Sequence, residues 1–254
     1  QAMRLNPRFS SWLLVLSGSA YFWTGRYTEA IAVLKEALSR SPNWPTAYMT
    51  LAANYWLQWF SQQSPAGQTL EPALAAIQQA LALSDAHYAN HLVLGYISLF
   101  QRQYEQALAE VERGVALAPT EALSYATLAE VLSYVGRTEE ALAAAAQALR
   151  LKPAMVDWHF AAVGAAYAAA GRYEEARVPL QRYLSRYPNI LRAHLTLAVV
   201  YSELGQVSDA QQEAAEVLRL NPHFSLELYR QRTPIKDPAV LERQIAALRK
   251  AGLK

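Results

Sequence analysis

The sequence predicts an all-α fold, a right-handed solenoid of six stacked helix pairs closed at its C-terminus by a capping helix. Three observations predict it. The composition is rich in Ala and Leu, with 15 Tyr and 6 Trp but only 10 Gly, which favours helices over a sandwich or barrel. An alanine is followed twelve residues later by a proline at Ala30 and Pro42, Ala107 and Pro119, Ala141 and Pro153, Ala176 and Pro188, and Ala210 and Pro222. Pro7, Pro42, Pro119, Pro153, Pro188 and Pro222 are separated by 35, 77, 34, 35 and 34 residues, a period of 34 in which the long interval is two periods plus nine.

Within each unit the apolar residues recur at helical spacing in two stretches. Glycine divides them at Gly25, Gly136, Gly171 and Gly205, where a left-handed residue ends the first helix at little steric cost. The proline ends the second, because the residue before it is pushed out of helical geometry. Tyrosine precedes the glycine by four at Tyr21, Tyr167 and Tyr201, and a small residue precedes that at Gly18, Gly164 and Ala198. Small residues let paired helices approach, and large ones such as Leu14, Tyr21 and Leu34 fill the space between units. One helical pair cannot bury its own apolar face, so stacking is required.

The expected units are 8–43, 44–86, 87–120, 121–154, 155–189 and 190–222. In the second, Tyr48, Leu51, Ala52 and Tyr55 belong to the first helix and Ala73, Ile77, Ala80 and Asp85 to the second, with a nine-residue expansion falling between Gln58 and Pro72. Residues 1–7, QAMRLNP, match QALRLKP at Gln147–Pro153, so the chain is expected to begin inside a repeat of a longer protein. In 223–254, Asp237 and Pro238 open a helix, and Val240, Leu241, Ile245 and Leu248 give it an apolar stripe as a terminal cap. Pro179 interrupts the second helix of the fifth unit, where a bend is expected with the proline on the outer side.

This pattern of small residue, tyrosine, glycine, alanine and proline over 34 residues resembles the tetratricopeptide repeat, from Phe9 to Pro222. His91, His159 and His194 in their first helices, Ser98 and Leu132 in the tyrosine place, and Asp85 in a proline place depart from it. The ending NPHFSLELYRQRTPIKDP with ERQIAALRKAGL, and the expanded second repeat, look like the C-terminal tetratricopeptide region of bacterial class III adenylate/guanylate cyclases, whose like also follows TolB-like segments and winged-helix regulators. That resemblance implies a regulatory or assembly segment attached to an N-terminal effector, and no catalytic cyclase residue has a counterpart here.

The formal charge of +2 does not imply nucleic acid as a partner, and the absence of cysteine excludes disulfides and thiolate metal sites. No apolar run approaches the roughly 20 residues of a spanning helix, and the N-terminus lacks the apolar run of a secretory leader. A chain without membrane insertion, cytoplasmic by default, is expected. There is no nucleophile elbow, phosphate loop or HExxH, so no enzyme, cofactor or metal is expected. His87 and His91 have a ligand spacing, but no carboxylate pattern completes it. Glu139–Glu140 and Glu174–Glu175 are read as acidic first turns favoured by the helix dipole. The basic run of Arg230, Arg232, Lys236, Arg243, Arg249, Lys250 and Lys254 is read as a solvated cap.

If the units stack as the resemblance implies, the first helices line a concave groove. Its expected partner-binding positions are Trp12, Val15, Ser19 and Phe22 in the first unit and Met49, Ala53 and Trp56 in the second. The third gives Leu92, Tyr96 and Leu99, and the fourth Glu130. No groove position is Lys or Asn, which argues against the capture of a peptide carboxylate as in chaperone-binding members of that family. The expected partner is a protein or peptide: an inserted helix or extended segment, the protein's own N-terminal domain, or a second copy. A small-molecule sensor is the competing reading.

Overall fold

The computed structural model describes residues 10–64, 68–152 and 158–254. These form α-helices and no strand. Six pairs run in order: α1 (Ser11–Trp23) with α2 (Tyr27–Arg40), α3 (Pro45–Phe60) with α4 (Glu71–Leu83), α5 (Tyr88–Phe100) with α6 (Tyr104–Leu117), α7 (Ala122–Val135) with α8 (Thr138–Leu151), α9 (Trp158–Ala169) with α10 (Tyr173–Arg186), and α11 (Leu191–Glu203) with α12 (Val207–Leu220). Two more helices follow, α13 (Leu226–Arg232) and α14 (Pro238–Lys250). No helix among the described residues is long and apolar enough to cross a membrane. The expected tail of a preceding repeat, 1–7, and Pro153 lie outside the described residues.

The first helix of each pair is apolar nearly all round, as SWLLVLSGSAYFW is, whereas the second keeps a polar outer face, as in YTEAIAVLKEALSR. That division follows burial: a helix covered on several sides cannot carry a wide charged face. Close approach within pairs has a repeated chemical basis. A Cβ on Gly18 would stand 2.6 Å from Leu34, one on Gly95 2.4 Å from Val111, and one on Gly164 2.5 Å from Leu180. Each partner lies sixteen residues further on. In the same register the fourth and sixth pairs place Ala129 with Ala145 and Ala198 with Ala214, all buried. A bulky second residue therefore goes with glycine, and alanine goes with alanine.

The turn inside each pair needs a left-handed residue. Gly25, Gly136, Gly171 and Gly205 supply it with φ of 71°, 89°, 74° and 74°. In the second and third pairs the same conformation is taken by Gln62 at 57° and Arg102 at 62°, at a steric cost of roughly 1–2 kcal/mol each. Both side chains reach the C-terminal segment.

Two of the histidine departures, His91 and His194, have structural roles. The His91 ring contacts Glu110 at 2.7 Å through Nδ1 and the Asp85 carbonyl at 2.8 Å through Nε2. His194 repeats this with Glu213 at 2.5 Å and the Pro188 carbonyl at 2.9 Å. Each ring ties a first helix to its own second helix and to the end of the preceding one. His87 is exposed and stacks on Tyr88, whereas both ring nitrogens of His91 have protein partners, and among the described residues no His/Asp/Glu cluster suits a metal. Glu140 pairs with Arg137 and Glu175 with Arg172 on the surface.

Pro179 corrects an expectation. It lies inside the unbroken helix α10 and is buried, not on the outer side. Ala176, Leu180, Tyr183 and Leu184 share its buried face, so its apolar ring contributes to packing against the first helices. The C-terminal cap follows the sequence reading: Asp237 Oδ1 accepts from Ala239 N at 2.8 Å, and Ile245 and Leu248 are buried. Three of the seven basic residues are engaged, Arg230 paired to Glu242, Arg232 over Trp59 and Lys236 over Tyr104, while Arg243, Arg249, Lys250 and Lys254 are exposed.

The close-packed glycine is testable. Gly164→Ala is expected to destabilise the protein by about 1–3 kcal/mol through overpacking against Leu180. In chemical denaturation, Gly164→Ala with Leu180→Ala should cost clearly less than the sum of the two single changes.

Candidate functional site

Helices α1, α3, α5 and α7 enclose one apolar pocket of about 250 Å³. Its walls are Ser19, Phe22 and Trp23 from α1, Met49, Thr50, Ala53 and Trp56 from α3, Ala89, Leu92, Val93 and Tyr96 from α5, and Leu123 and Thr127 from α7. The Ser19 and Thr50 hydroxyls donate to Val15 and Thr46 carbonyls in their own helices. Thr127 Oγ1 is buried without a hydrogen-bond partner in the structure. The pocket therefore offers shape and apolar surface.

The expected groove residues Ser19, Phe22, Met49, Ala53, Trp56, Leu92 and Tyr96 meet in this pocket. Trp12, Val15, Leu99 and Glu130 do not line it. Trp12 is 58% exposed, while Val15, Leu99 and Glu130 are buried in packing. Of the remaining walls, Trp23, Thr50 and Val93 each lie one residue beyond an expected position. One residue is about 100° around a helix, so the inner face is wider than a single stripe.

Behind the pocket lies a buried ion pair. Arg192, from α11, bonds to Glu130 on α7, and the two side chains are 8% and 1% exposed. Tyr96 Oη donates to the other carboxylate oxygen of Glu130 at 2.6 Å. The guanidinium also lies 5.8 Å from the Trp56 ring and 5.9 Å from the Tyr96 ring, and those two rings stack at 4.7 Å. Burial opposes the charge on Arg192, but Glu130 beside it, with Tyr96 and Tyr134, holds the guanidinium above its ordinary value. Charges taken out of water are tolerated when paired and hydrogen-bonded in this way.

Two further contacts close the curved stack on itself. Trp23, at the end of α1, stacks on Tyr187 after α10 with centroids 4.7 Å apart. Gly25 meets the Asn189 carbonyl so tightly that a Cβ there would stand 2.4 Å from it. The C-terminal segment then crosses the turns of the second, third and fourth pairs. Gln62 donates to the Ser225 carbonyl and accepts from its N–H, both at 2.8 Å. Asn221 donates to the Ser61 carbonyl at 3.0 Å. Arg102 donates to the Gln231 and Thr233 carbonyls, and Lys236 N donates to the Tyr134 carbonyl at 3.0 Å. Tyr229 packs on Phe60 with centroids 6.0 Å apart. Part of the concave face is thus covered by the chain itself, and the apolar pocket remains beside it.

Models of the tetratricopeptide repeat match residues 11–54, 127–189 and 167–229. No curated protein matches the chain by sequence. Among solved structures, a chain of the APC/C hetero-tetramer Cut9–Hcn1 is similar with a TM-score of 0.61 and 19% identity over 88% of this chain. This chain spans 43% of that one. PilW, a widely conserved type IV pilus biogenesis factor, is similar with a TM-score of 0.52 and 18% identity over 87% of this chain and 96% of its own. At such identities the likeness is one of fold.

Two outcomes follow from the buried groups. Arg192→Met alone leaves Glu130 buried without its counter-charge and is expected to cost about 3–5 kcal/mol. Adding Glu130→Gln should recover a large part of that in chemical denaturation. Burial pushes Tyr27 and Tyr229 up to about 12. Unfolded tyrosine ionises near 10, so above that pH the unfolded chain loses protons that the folded one keeps. Stability should be level below about pH 10 and fall as pH rises towards 12. Tyrosinate absorbance should rise together with loss of helix.

Proposed function

We infer that this tetratricopeptide-repeat chain is a non-catalytic protein-interaction scaffold that captures an apolar side chain of a peptide or helix in the pocket formed by α1, α3, α5 and α7. The observation that carries this reading is the pocket's lining: aromatic and aliphatic groups from four successive first helices, with no charged residue among them. Interface energy concentrates where one bulky side chain fills a desolvated pocket. At about 250 Å³ the space lies below the roughly 300–1,000 Å³ of sites that enclose a drug-sized molecule. It suits one or two side chains better than a metabolite, and few polar groups converge to orient a small ligand. The anchor reading is therefore preferred to the sensor reading.

The resemblance of the C-terminal sequence to the repeat regions of bacterial cyclases and their kin supports a place for this scaffold in a larger signalling protein. Its anchor would come from the effector part of that protein, from a second copy or from a separate partner.

Ala53, half-buried in the lining, offers a clean test. Fluorescence titration with N-phenyl-1-naphthylamine, and with peptides carrying one Leu, Phe or Trp in a polar background, should show saturable binding to the wild type. Ala53→Glu places a charge in the pocket and should weaken binding about tenfold or more while leaving the fold intact. Equal binding by the two proteins would exclude the pocket as the anchor site.

A further inference from the structure

Three walls of the pocket have a second role. Trp23 lines it and stacks on Tyr187, while Trp56 and Tyr96 line it and stand against the Arg192 guanidinium. Neither Tyr187 nor Arg192 lines the pocket itself. Both come from the fifth and sixth repeats, far along the chain from α1, α3 and α5, and reach these walls only because the stack curves back on itself. A ring keeps one rotamer when neighbours pack on it from several sides. Trp23 also packs on Phe22, and Trp56 and Tyr96 on each other, and the closure supplies a further side of each.

We propose that Tyr187 and Arg192 are positioning residues of the anchor pocket, so that the pocket is complete only when the junction of the fifth and sixth repeats is in contact with the first repeats. This rests on the reading of the pocket as an anchor site. Binding and closure are then linked: an apolar occupant favours the closed stack, and whatever separates the first repeat from the junction of the fifth and sixth releases the occupant. The protein works as a clamp whose jaws are repeat one and that junction. A partner that draws on the C-terminal segment, or on the Trp23–Tyr187 contact, would control the pocket from outside it.

The turn glycines provide a matched pair of variants. Gly25 and Gly171 have φ of 71° and 74°, so alanine at either carries the same backbone strain. At Gly171 nothing lies within 4 Å of the added Cβ, whereas at Gly25 the Asn189 carbonyl lies 2.4 Å away. Gly25→Ala therefore adds to the common strain a collision confined to the closure. Tyr187→Ala and Tyr187→Phe form a second pair, the latter keeping the stacked ring.

The experiment is titration of each folded protein with N-phenyl-1-naphthylamine, with thermal melts alongside. Gly25→Ala and Tyr187→Ala should weaken the probe about tenfold, while Gly171→Ala and Tyr187→Phe bind as the wild type does. A merely structural role for these residues would lower melting temperatures and leave the affinity of the folded protein unchanged, and that result overturns the proposal. Should Gly25→Ala not fold, the tyrosine pair decides alone. A wild type that does not take up the probe sinks both the anchor reading and the coupling. A wild type that binds with all four variants unaltered sinks the coupling only.

Discussion

A single guanidinium, that of Arg192, joins four of the six repeats. It belongs to the sixth, pairs with Glu130 of the fourth, and faces Trp56 and Tyr96 of the second and third. Taking a carboxylate and a guanidinium out of water costs several kcal/mol for each ion. The pair is tenable only where carboxylate, phenol and aromatic faces converge on it. That convergence demands a small radius of curvature, and the radius in turn depends on how closely the helices of each pair approach. Glycine opposite a bulky residue, or alanine opposite alanine, sets that approach in every register compared above.

Curvature on this scale brings the first repeat against the end of the fifth, and the C-terminal segment consolidates the closed stack. Gln62 and Arg102 bear on this point. They occupy left-handed turn positions where glycine would be unstrained, yet each directs its side chain to the backbone of residues 225–233. The bonds formed by the long polar side chains offset the local strain. Absence of glycine in these two turns is thus linked to the docking of the C-terminus, and the same docking leaves one apolar recess in the concave face.

Much of the fold was legible in the sequence because a solenoid is governed by contacts between neighbours, and those repeat every 34 residues. The alanine-to-proline spacing, the turn glycines and the Asp237–Pro238 helix start all have that local origin. Closure does not. Gln62 and Ser225 are 163 residues apart, and Arg192 and Glu130 are 62 apart, so no period signals them. Both Glu130 and Arg192 fall at positions the repeat register turns towards the groove, but nothing in the sequence pairs them. The aromatic character of the pocket was visible in Phe22, Trp56 and Tyr96. Its breadth was not, because Trp23 and Thr127 belong to the face only when the helices curve tightly around it. Pro179 was misread for a related reason: an outward place suits a proline in an isolated helix, whereas here its ring is needed for packing on the inner side.

The central claim is that the first repeat touches the end of the fifth in solution. The chain has no cysteine, so two can be introduced without background, at the exposed positions Thr24 and Ser185 beside the Trp23–Tyr187 stack. Spin labels on Thr24→Cys and Ser185→Cys, with the distance distribution read by pulsed electron paramagnetic resonance, measure the contact directly. One short, narrow distance is predicted, and a long or broad distribution would contradict the closed stack and the pocket geometry that depends on it.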